Sequence, residues 1–189
     1  VAIPAICLAA AMIINELRCG DPREFGHRYL DVRWSSKFSK WGLLNYHFVS
    51  RNLTAMFTLL PWISRVPPYL QISNHGLALW FTSPFLIWLA WPARKDSLTA
   101  FLWMAAVLAA IPSVMYQNTG WVQFGYRFAN DYMPALFLLL AISGRKLRGP
   151  FWAAVAFAVF VNTFGAVTFN RIGQFYAPPA VTTDFFQPD

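Results

Sequence analysis

The stretch Gly120–Pro134, GWVQFGYRFANDYMP, decides the fold prediction. It places an arginine and an aspartate, Arg127 and Asp131, at the mouth of an apolar segment. Positions four apart share one face of an α-helix, so we expect the two side chains to point the same way. A helix that begins at Phe124 reaches the length of about 20 residues that crosses a bilayer. Both charged groups would then lie about one turn inside the membrane edge, where ionisable residues are costly and generally functional. The alternative is a structural ion pair that holds this helix to its neighbours.

The composition is that of a membrane protein. The chain has 189 residues, of which 57% are hydrophobic and 12% charged, against about 25% charged in an ordinary soluble domain. Aromatic residues make up 18%, including nine tryptophans, which fits interfacial belts and also a cavity that binds sugar or lipid. The net charge of +7 comes from basic residues in short loops between apolar runs. Since no basic stripe is interleaved with a stacking platform, nucleic acid is excluded as a partner.

The residue types that bind metals are scattered. The three histidines, His27, His47 and His75, form no pair at zinc spacing, and the two cysteines form no CxxC motif. We therefore predict neither a metal nor a cofactor. Acidic residues that could act as a general base alternate with arginines between residues 15 and 40, which favours a solvated loop of mixed charge over a catalytic site; they are Asp21, Glu24 and Asp31.

The hydropathy pattern predicts an all-α fold, a polytopic transmembrane helical bundle with about four spans. The predicted spans cover approximately residues 72–91, 98–116, 124–143 and 151–169, and a tail occupies residues 170–189. The apolar run 1–14 is too short to span and is predicted to be the cut end of a further span. The chain would then be the C-terminal membrane portion of a larger protein, and the remainder of the same polypeptide would be one of its partners.

Residues 41–63 allow two topologies. Polar side chains spaced at helical intervals around Arg51 form one stripe, which predicts an amphipathic helix at the membrane interface within an extracytoplasmic loop 15–75. If 41–63 spans instead, the residues before it change sides. The short turns 92–97 and 144–150 carry five Lys or Arg residues, so the positive-inside rule makes their side cytoplasmic. The loop 117–123, the region 15–75 and the tail then face outward.

Three stretches, taken together and in order, resemble a known family. They are LRCGDPREFGHRYL at 17–30, SRNLTAMFTLLPWI, PPYL and GLALWFTSPFLIWL within 50–89, and GWVQFGYRFANDYMPALFLLLA at 120–141. The set resembles the C-terminal half of bacterial GT-C glycosyltransferases, relatives of the protein mannosyltransferases. The resemblance implies transfer of a sugar from a polyprenyl-phosphate carrier to an acceptor outside the bacterial inner membrane. It also implies a catalytic acidic residue in an upstream loop, so no catalytic residue is assigned in this chain.

A lipid phosphate requires fixed cations near the interface, and the planar fork of arginine suits phosphate oxygens. Arg127 is the first candidate, oriented by Asp131, with Gln123 and Tyr126 as hydrogen-bonding groups for phosphate or sugar. Arg51 is the second candidate, although it can equally reach lipid headgroups by snorkelling. Asn52 is expected to contact a headgroup or the backbone. Two rival functions stay open: a flippase for lipid-linked sugars, and a structural membrane subunit in which Arg127 and Asp131 merely pair.

Overall fold

The computed structural model describes residues 2–24, 26, 29, 40–92 and 94–176. The described chain is mostly helical and divides into two compact units, Val1–Leu43 and Leu44–Asp189. Each unit is treated separately below.

The first unit contains helix α1, Ala2–Cys19. The helix continues past the apolar run 1–14 and takes in Glu16 and Arg18, because no breaker occurs before Gly20. There the backbone turns to a left-handed φ of 69°, and the Gly20 N–H donates to the carbonyl of Glu16 at 2.9 Å, a common way for a helix to end. Half of the predicted mixed-charge loop 15–40, including His27 and Asp31, lies outside the described residues.

The second unit holds the remaining described elements. They are, in order, a 3-10 turn Tyr46–Phe48, α2 Val49–Phe57, strands β1 Trp62–Ile63 and β2 Leu70–Gln71, α3 Leu79–Thr82, a 3-10 helix Pro84–Ala90, α4 Ser97–Met115, a 3-10 helix Arg127–Asp131, α5 Met133–Ile142, α6 Gly149–Thr168 and a 3-10 turn Gly173–Phe175. The strands form an antiparallel hairpin in which Trp62 faces Gln71 and Ile63 faces Leu70.

Helices α4 and α6 are long and apolar enough to cross a membrane. They have 19 and 20 residues, and the most apolar 18-residue segment of each has a mean hydropathy of 2.0 and 1.7, respectively. Only 22% and 28% of the residues in these segments are buried within the protein. Asp96 caps α4 by accepting hydrogen bonds from the N–H and hydroxyl of Thr99, at 2.9 and 2.8 Å. The predictions of helices at 98–116 and 151–169 are therefore confirmed to within two residues.

The segment 72–91 does not form the continuous span that the sequence predicts. The four-residue α3 stops at Ser83, whose φ of −140° and ψ of 58° lie outside the helical region. The cause is Pro84, because the ring of a proline disfavours helical geometry in the residue before it. The chain then continues as the 3-10 helix Pro84–Ala90. Pro84 therefore ends α3 and does not merely bend a longer helix.

The segment 124–143 is also interrupted. Its first half is the 3-10 helix Arg127–Asp131, and Tyr132 separates it from α5, which has 10 residues. Pro134 occupies the first turn of α5, where its missing N–H is no cost. A helix of 10 residues is about 15 Å long and cannot cross a bilayer by itself.

The segment 41–63 contains no spanning helix, since α2 has nine residues and is followed by β1. This removes the topology in which 41–63 crosses the membrane. The buried side of this region comprises Phe48, Asn52 and Ala55, on a short helix that contacts α4.

The main core lies where α4, α5 and the 3-10 helix Pro84–Ala90 meet. Its most buried members are Ala55, Ala106, Tyr126, Ala129, Tyr132 and Leu139. The carboxyl ends of α4 and α6 both reach the stretch 124–128: the ring of Tyr116, just after α4, lies 5.6 Å from that of Phe128, and Gly165 of α6 abuts Phe124. The 120–134 stretch is thus held at one end of the two longest helices of this unit.

Candidate functional site

An open pocket of about 370 Å³ lies beside the 120–134 stretch. Residues from α3, the segment 122–130, the start of α5 and the carboxyl half of α6 form its walls. Its polar lining consists of Thr82, Ser83, Gln123, Arg127, Asn130 and Asn162, and Tyr126 is also part of the wall. Its apolar lining includes Leu79, Val122, Phe124, Ala129, Met133 and Phe169. The pocket therefore combines one cation with amide and hydroxyl groups on an apolar wall.

Arg127 is the exposed cation of this pocket. Its guanidinium carbon lies 5.5 Å from the ring centroid of Phe128, a cation–π distance. Among the described residues, no carboxylate oxygen lies within 4.0 Å of its side-chain nitrogens. The charge is therefore available to a ligand at the pocket.

Asp131 does not orient Arg127 as the sequence predicts. The two residues are the ends of a 3-10 helix, which has three residues per turn, so positions four apart are separated by about 120° around the axis. In an α-helix the separation would be about 40°. Asp131 is exposed and lies outside the pocket lining. The predicted ion pair is absent because the local helix type differs from the one assumed.

Gln123 positions the loops around the pocket. It is 4% exposed, and its amide nitrogen donates to the carbonyls of His75 and Thr119 at 2.7 and 2.8 Å. Its amide oxygen accepts the backbone N–H of Arg127 at 3.2 Å. Both amide hydrogens are thus used within the protein, so this side chain fixes the start of the 3-10 helix that carries Arg127.

Two glycines leave room for this buried amide. Gly76 and Gly120 have φ values of 86° and 90°, which favour glycine. A Cβ at Gly76 would lie 2.9 Å from the Cγ of Gln123, and one at Gly120 would overlap its amide oxygen. Any side chain at either position would therefore displace Gln123.

Tyr126 lines the pocket but is 3% exposed. Its ring packs edge-on against Phe128, with centroids 5.9 Å apart. Its buried hydroxyl has no hydrogen-bond partner within the described ranges, although buried tyrosine hydroxyls usually have one. The hydroxyl oxygen is therefore enclosed by the protein.

Asn52 lies outside the pocket and serves the backbone. It is 0% exposed, and the two hydrogens of its amide nitrogen are shared among the carbonyls of Phe48, Val114 and Tyr116, at 3.0, 3.1 and 2.7 Å. These bonds fasten α2 to the carboxyl end of α4. A buried position of this kind excludes contact with a headgroup, so of the two predicted roles only that of backbone partner fits the structure.

Arg51 is also outside the pocket lining. It donates to the carbonyl of Gln117, and its guanidinium carbon lies 5.7 Å from the ring centroid of Phe48. Burial and the positive charge of Arg51 lower the pKa of His75 from 6.5 to about 4. His75 is therefore neutral near pH 7, with its Nδ1 2.5 Å from the hydroxyl oxygen of Thr119 and its ring 4.8 Å from that of Trp121.

Sequence reasoning missed four polar residues of the pocket: Thr82, Ser83, Asn130 and Asn162. Asn162 makes an interhelical hydrogen bond, since its amide nitrogen donates to the carbonyl of Thr82 in α3 at 2.8 Å as well as to that of Ala158. The sequence signal for Thr82 and Ser83 was a polar pair directly before a proline inside an apolar run.

Comparison with family models, with curated proteins and with solved structures finds no match to this chain. Within the described residues, no group of three or more His, Cys, Asp or Glu side chains is arranged to hold a metal ion. The function is therefore argued from the pocket itself.

Proposed function

We propose that this chain is part of a membrane glycosyltransferase of the GT-C type and that its pocket binds the phosphate and sugar of a polyprenyl-phosphate-linked donor. The single observation that carries the proposal is the exposed Arg127 at a pocket whose other polar groups are amides and hydroxyls. No carboxylate of the described chain neutralises this arginine. A lone cation in a concave site favours an anionic ligand.

The lining fits the two halves of such a donor. The guanidinium group of Arg127 can bind two phosphate oxygens at once. Asn130, Thr82 and Ser83 carry groups of the kind that hydrogen-bond sugar hydroxyls. Leu79 and Met133 offer apolar surface for the first part of a prenyl chain. The volume of about 370 Å³ lies in the usual range for small-molecule sites, about 300–1,000 Å³.

The chain contributes binding rather than proton transfer in this proposal. None of the lining residues, all of them in the described part of the chain, is acidic. An inverting displacement at a sugar requires a carboxylate base to activate the acceptor. That base would come from another part of the protein, as the family resemblance implies.

The proposed location is the bacterial inner membrane, with α4 and α6 crossing it. The basic turns containing Arg94 and Lys95, and Arg145 and Lys146, directly precede these helices at their amino ends. The positive-inside rule favours the cytoplasm for those ends. The pocket, at the carboxyl ends, would then face outward, where polyprenyl-phosphate sugars are used as donors. The structural alternative requires an ion pair between Arg127 and Asp131, which the described chain does not form.

Binding of a short-chain polyprenyl monophosphate to the chain in nanodiscs tests the proposal. Arg127→Ala removes the charged partner of the phosphate, so its affinity should fall about 10- to 100-fold, as expected for a hydrogen bond to a charged group. Arg127→Lys should recover part of the loss. Arg145→Ala removes an equally exposed charge from a basic turn and should change nothing. No binding by the native chain, or equal affinities for native and Arg127→Ala proteins, would refute the assignment.

A further inference from the structure

The hairpin formed by β1 and β2 ends in an exposed apolar tip. The Ser64 N–H donates to the carbonyl of Tyr69, and the Tyr69 N–H donates to that of Val66, each at 2.9 Å. Ile63 is 80% exposed and Val66 is 65% exposed. Trp62 and Tyr69 are 52% and 59% exposed. Four large apolar or aromatic side chains are thus exposed on one short hairpin, and clustered exposed apolar surface commonly marks an interaction site.

The base of the hairpin is fixed to the end of a helix of membrane-spanning length. The Ile72 N–H, directly after β2, donates to the carbonyl of Phe175 at 2.7 Å. Phe175 belongs to the turn that follows α6. Ile72 is 2% exposed and packs in a cluster with Val161 of α6. The hairpin therefore projects from the rest of the protein at the carboxyl end of α6.

The outer face of α6 is largely apolar up to this end, with Thr163 as an exposed polar residue on it. Val159, Phe160 and Val167 are 60%, 71% and 54% exposed. If lipid covers these side chains, its interfacial layer lies at the carboxyl end of α6, where the hairpin begins. Tryptophan and tyrosine concentrate in that layer, because each combines an apolar ring with a polar group. Arg65, exposed at the tip, has a side chain long enough to reach lipid phosphates.

We propose that the hairpin Trp62–Gln71 is a membrane-interface anchor that inserts Ile63 and Val66 into the apolar edge of the bilayer beside the pocket. The anchor would hold the pocket at the depth of a lipid headgroup. The inference depends on the membrane placement of α6 that the proposed function includes, and not on sugar transfer. The two can therefore fail separately.

Site-directed fluorescence in vesicles tests the anchor. The full chain with Cys7→Ser and Cys19→Ser is given a single cysteine by Ile63→Cys or Val66→Cys, labelled with bimane and reconstituted in phosphatidylcholine and phosphatidylglycerol vesicles. Lipids with a nitroxide near the top of the acyl chain should quench both labels strongly, and aqueous iodide should quench them weakly. Because Ile63 is largely exposed, its replacement should leave the fold intact.

Two matched positions give the reference values. Lys95→Cys labels the exposed basic turn before α4 and should be quenched by iodide. Leu108→Cys labels an exposed position within α4 and should be quenched by lipids with a deep nitroxide. Iodide quenching at Ile63 equal to that at Lys95, with Leu108 still in lipid, would overturn the anchor alone. Iodide quenching at Leu108 would overturn the membrane placement and the anchor with it. Protection of Ile63 from both quenchers would indicate a protein partner and would also overturn the proposal.

Discussion

The amide oxygen of Gln123 accepts the backbone N–H of Arg127 at 3.2 Å. Through its amide nitrogen, the same side chain holds the carbonyls of two loops, at His75 and Thr119. This buried amide thus connects three segments and holds the backbone of Arg127, whose exposed side chain belongs to the pocket wall. The loop 117–123, which the sequence predicts to face outward, contains buried residues: Gln117, Thr119 and Gln123 are all less than 5% exposed.

Replacing Gln123 by alanine should destabilise the protein. The change removes three hydrogen bonds, two of them to the carbonyls of His75 and Thr119, which costs roughly 2–4 kcal/mol of unfolding free energy. Thermal or denaturant unfolding in detergent measures this loss. Thr163→Ala, at an exposed position of α6, should change stability by less than about 0.5 kcal/mol. An equal effect of the two substitutions would contradict the role given to Gln123.

Replacing Asp131 by alanine should leave both stability and ligand affinity near the native values. The 3-10 geometry points this side chain away from Arg127, so a double-mutant cycle of Arg127→Ala and Asp131→Ala should give a coupling energy below about 0.5 kcal/mol. Unfolding and polyprenyl-phosphate binding are both suitable readouts. A coupling of about 2 kcal/mol would mean that the two charges pair after all.

Replacing Asn52 by alanine should be costly for folding, not for binding. The carbonyls of Phe48, Val114 and Tyr116 lose their shared donor, a residue that is 0% exposed. The expected destabilisation is roughly 2–4 kcal/mol. Ser50→Ala, on the exposed side of α2, is the matched control. If Asn52→Ala folded normally and only weakened ligand binding, the headgroup role would be restored.

Replacing Gly165 by alanine should disturb both the packing of α6 and the pocket. A Cβ at this position would lie 2.5 Å from ring atoms of Phe124, a residue of the pocket wall. Overpacking of this kind costs about 1–3 kcal/mol. Gly149→Ala, in the same helix but with nothing within 4 Å of the new Cβ, should be neutral or slightly stabilising. Unfolding of the two variants under one set of conditions makes the comparison.

Acidification should weaken the fold through His75. Its pKa is about 4 in the folded protein and 6.5 when unfolded. Above pH 6.5 the ring is neutral in both states, and between 6.5 and about 4 only the unfolded state takes up the proton. The free energy of unfolding should therefore fall across this window, by at most about 3 kcal/mol and by less because the ring is only partly buried.

The pH dependence of unfolding for native and His75→Asn proteins measures this contribution. The variant should show a flatter profile between pH 6.5 and 4 than the native chain does. An unchanged slope in His75→Asn would show that other groups cause any acid sensitivity.

The parts of the fold that the sequence predicted are those set by local composition. The runs that became α4 and α6 are long and apolar, and the proline of α4, Pro112, does not interrupt it. The prolines at 84 and 134 were equally visible, yet the first ends α3 and the second begins α5. Whether a proline bends, breaks or starts a helix depends on the neighbours that can satisfy the freed backbone groups, and those neighbours are distant in the sequence.

The same division applies to the candidate site. Arginine 127 and its aromatic surroundings could be recognised from residue types alone, whereas the roles of Gln123, Asn52 and Asp131 could not. Gln123 bonds to His75, which is 48 positions away, and Asn52 bonds to Val114, which is 62 positions away. The direction of Asp131 depends on the 3-10 helix Arg127–Asp131, a helix type that the periodicity of the sequence did not reveal. The sequence by itself determined an apolar, mostly helical chain with a cation beside an aromatic stretch. Only the tertiary structure decided which polar side chains form hydrogen bonds to the backbone and which line the pocket. The reason is that burial and hydrogen-bond partners are set by contacts between segments far apart in the chain.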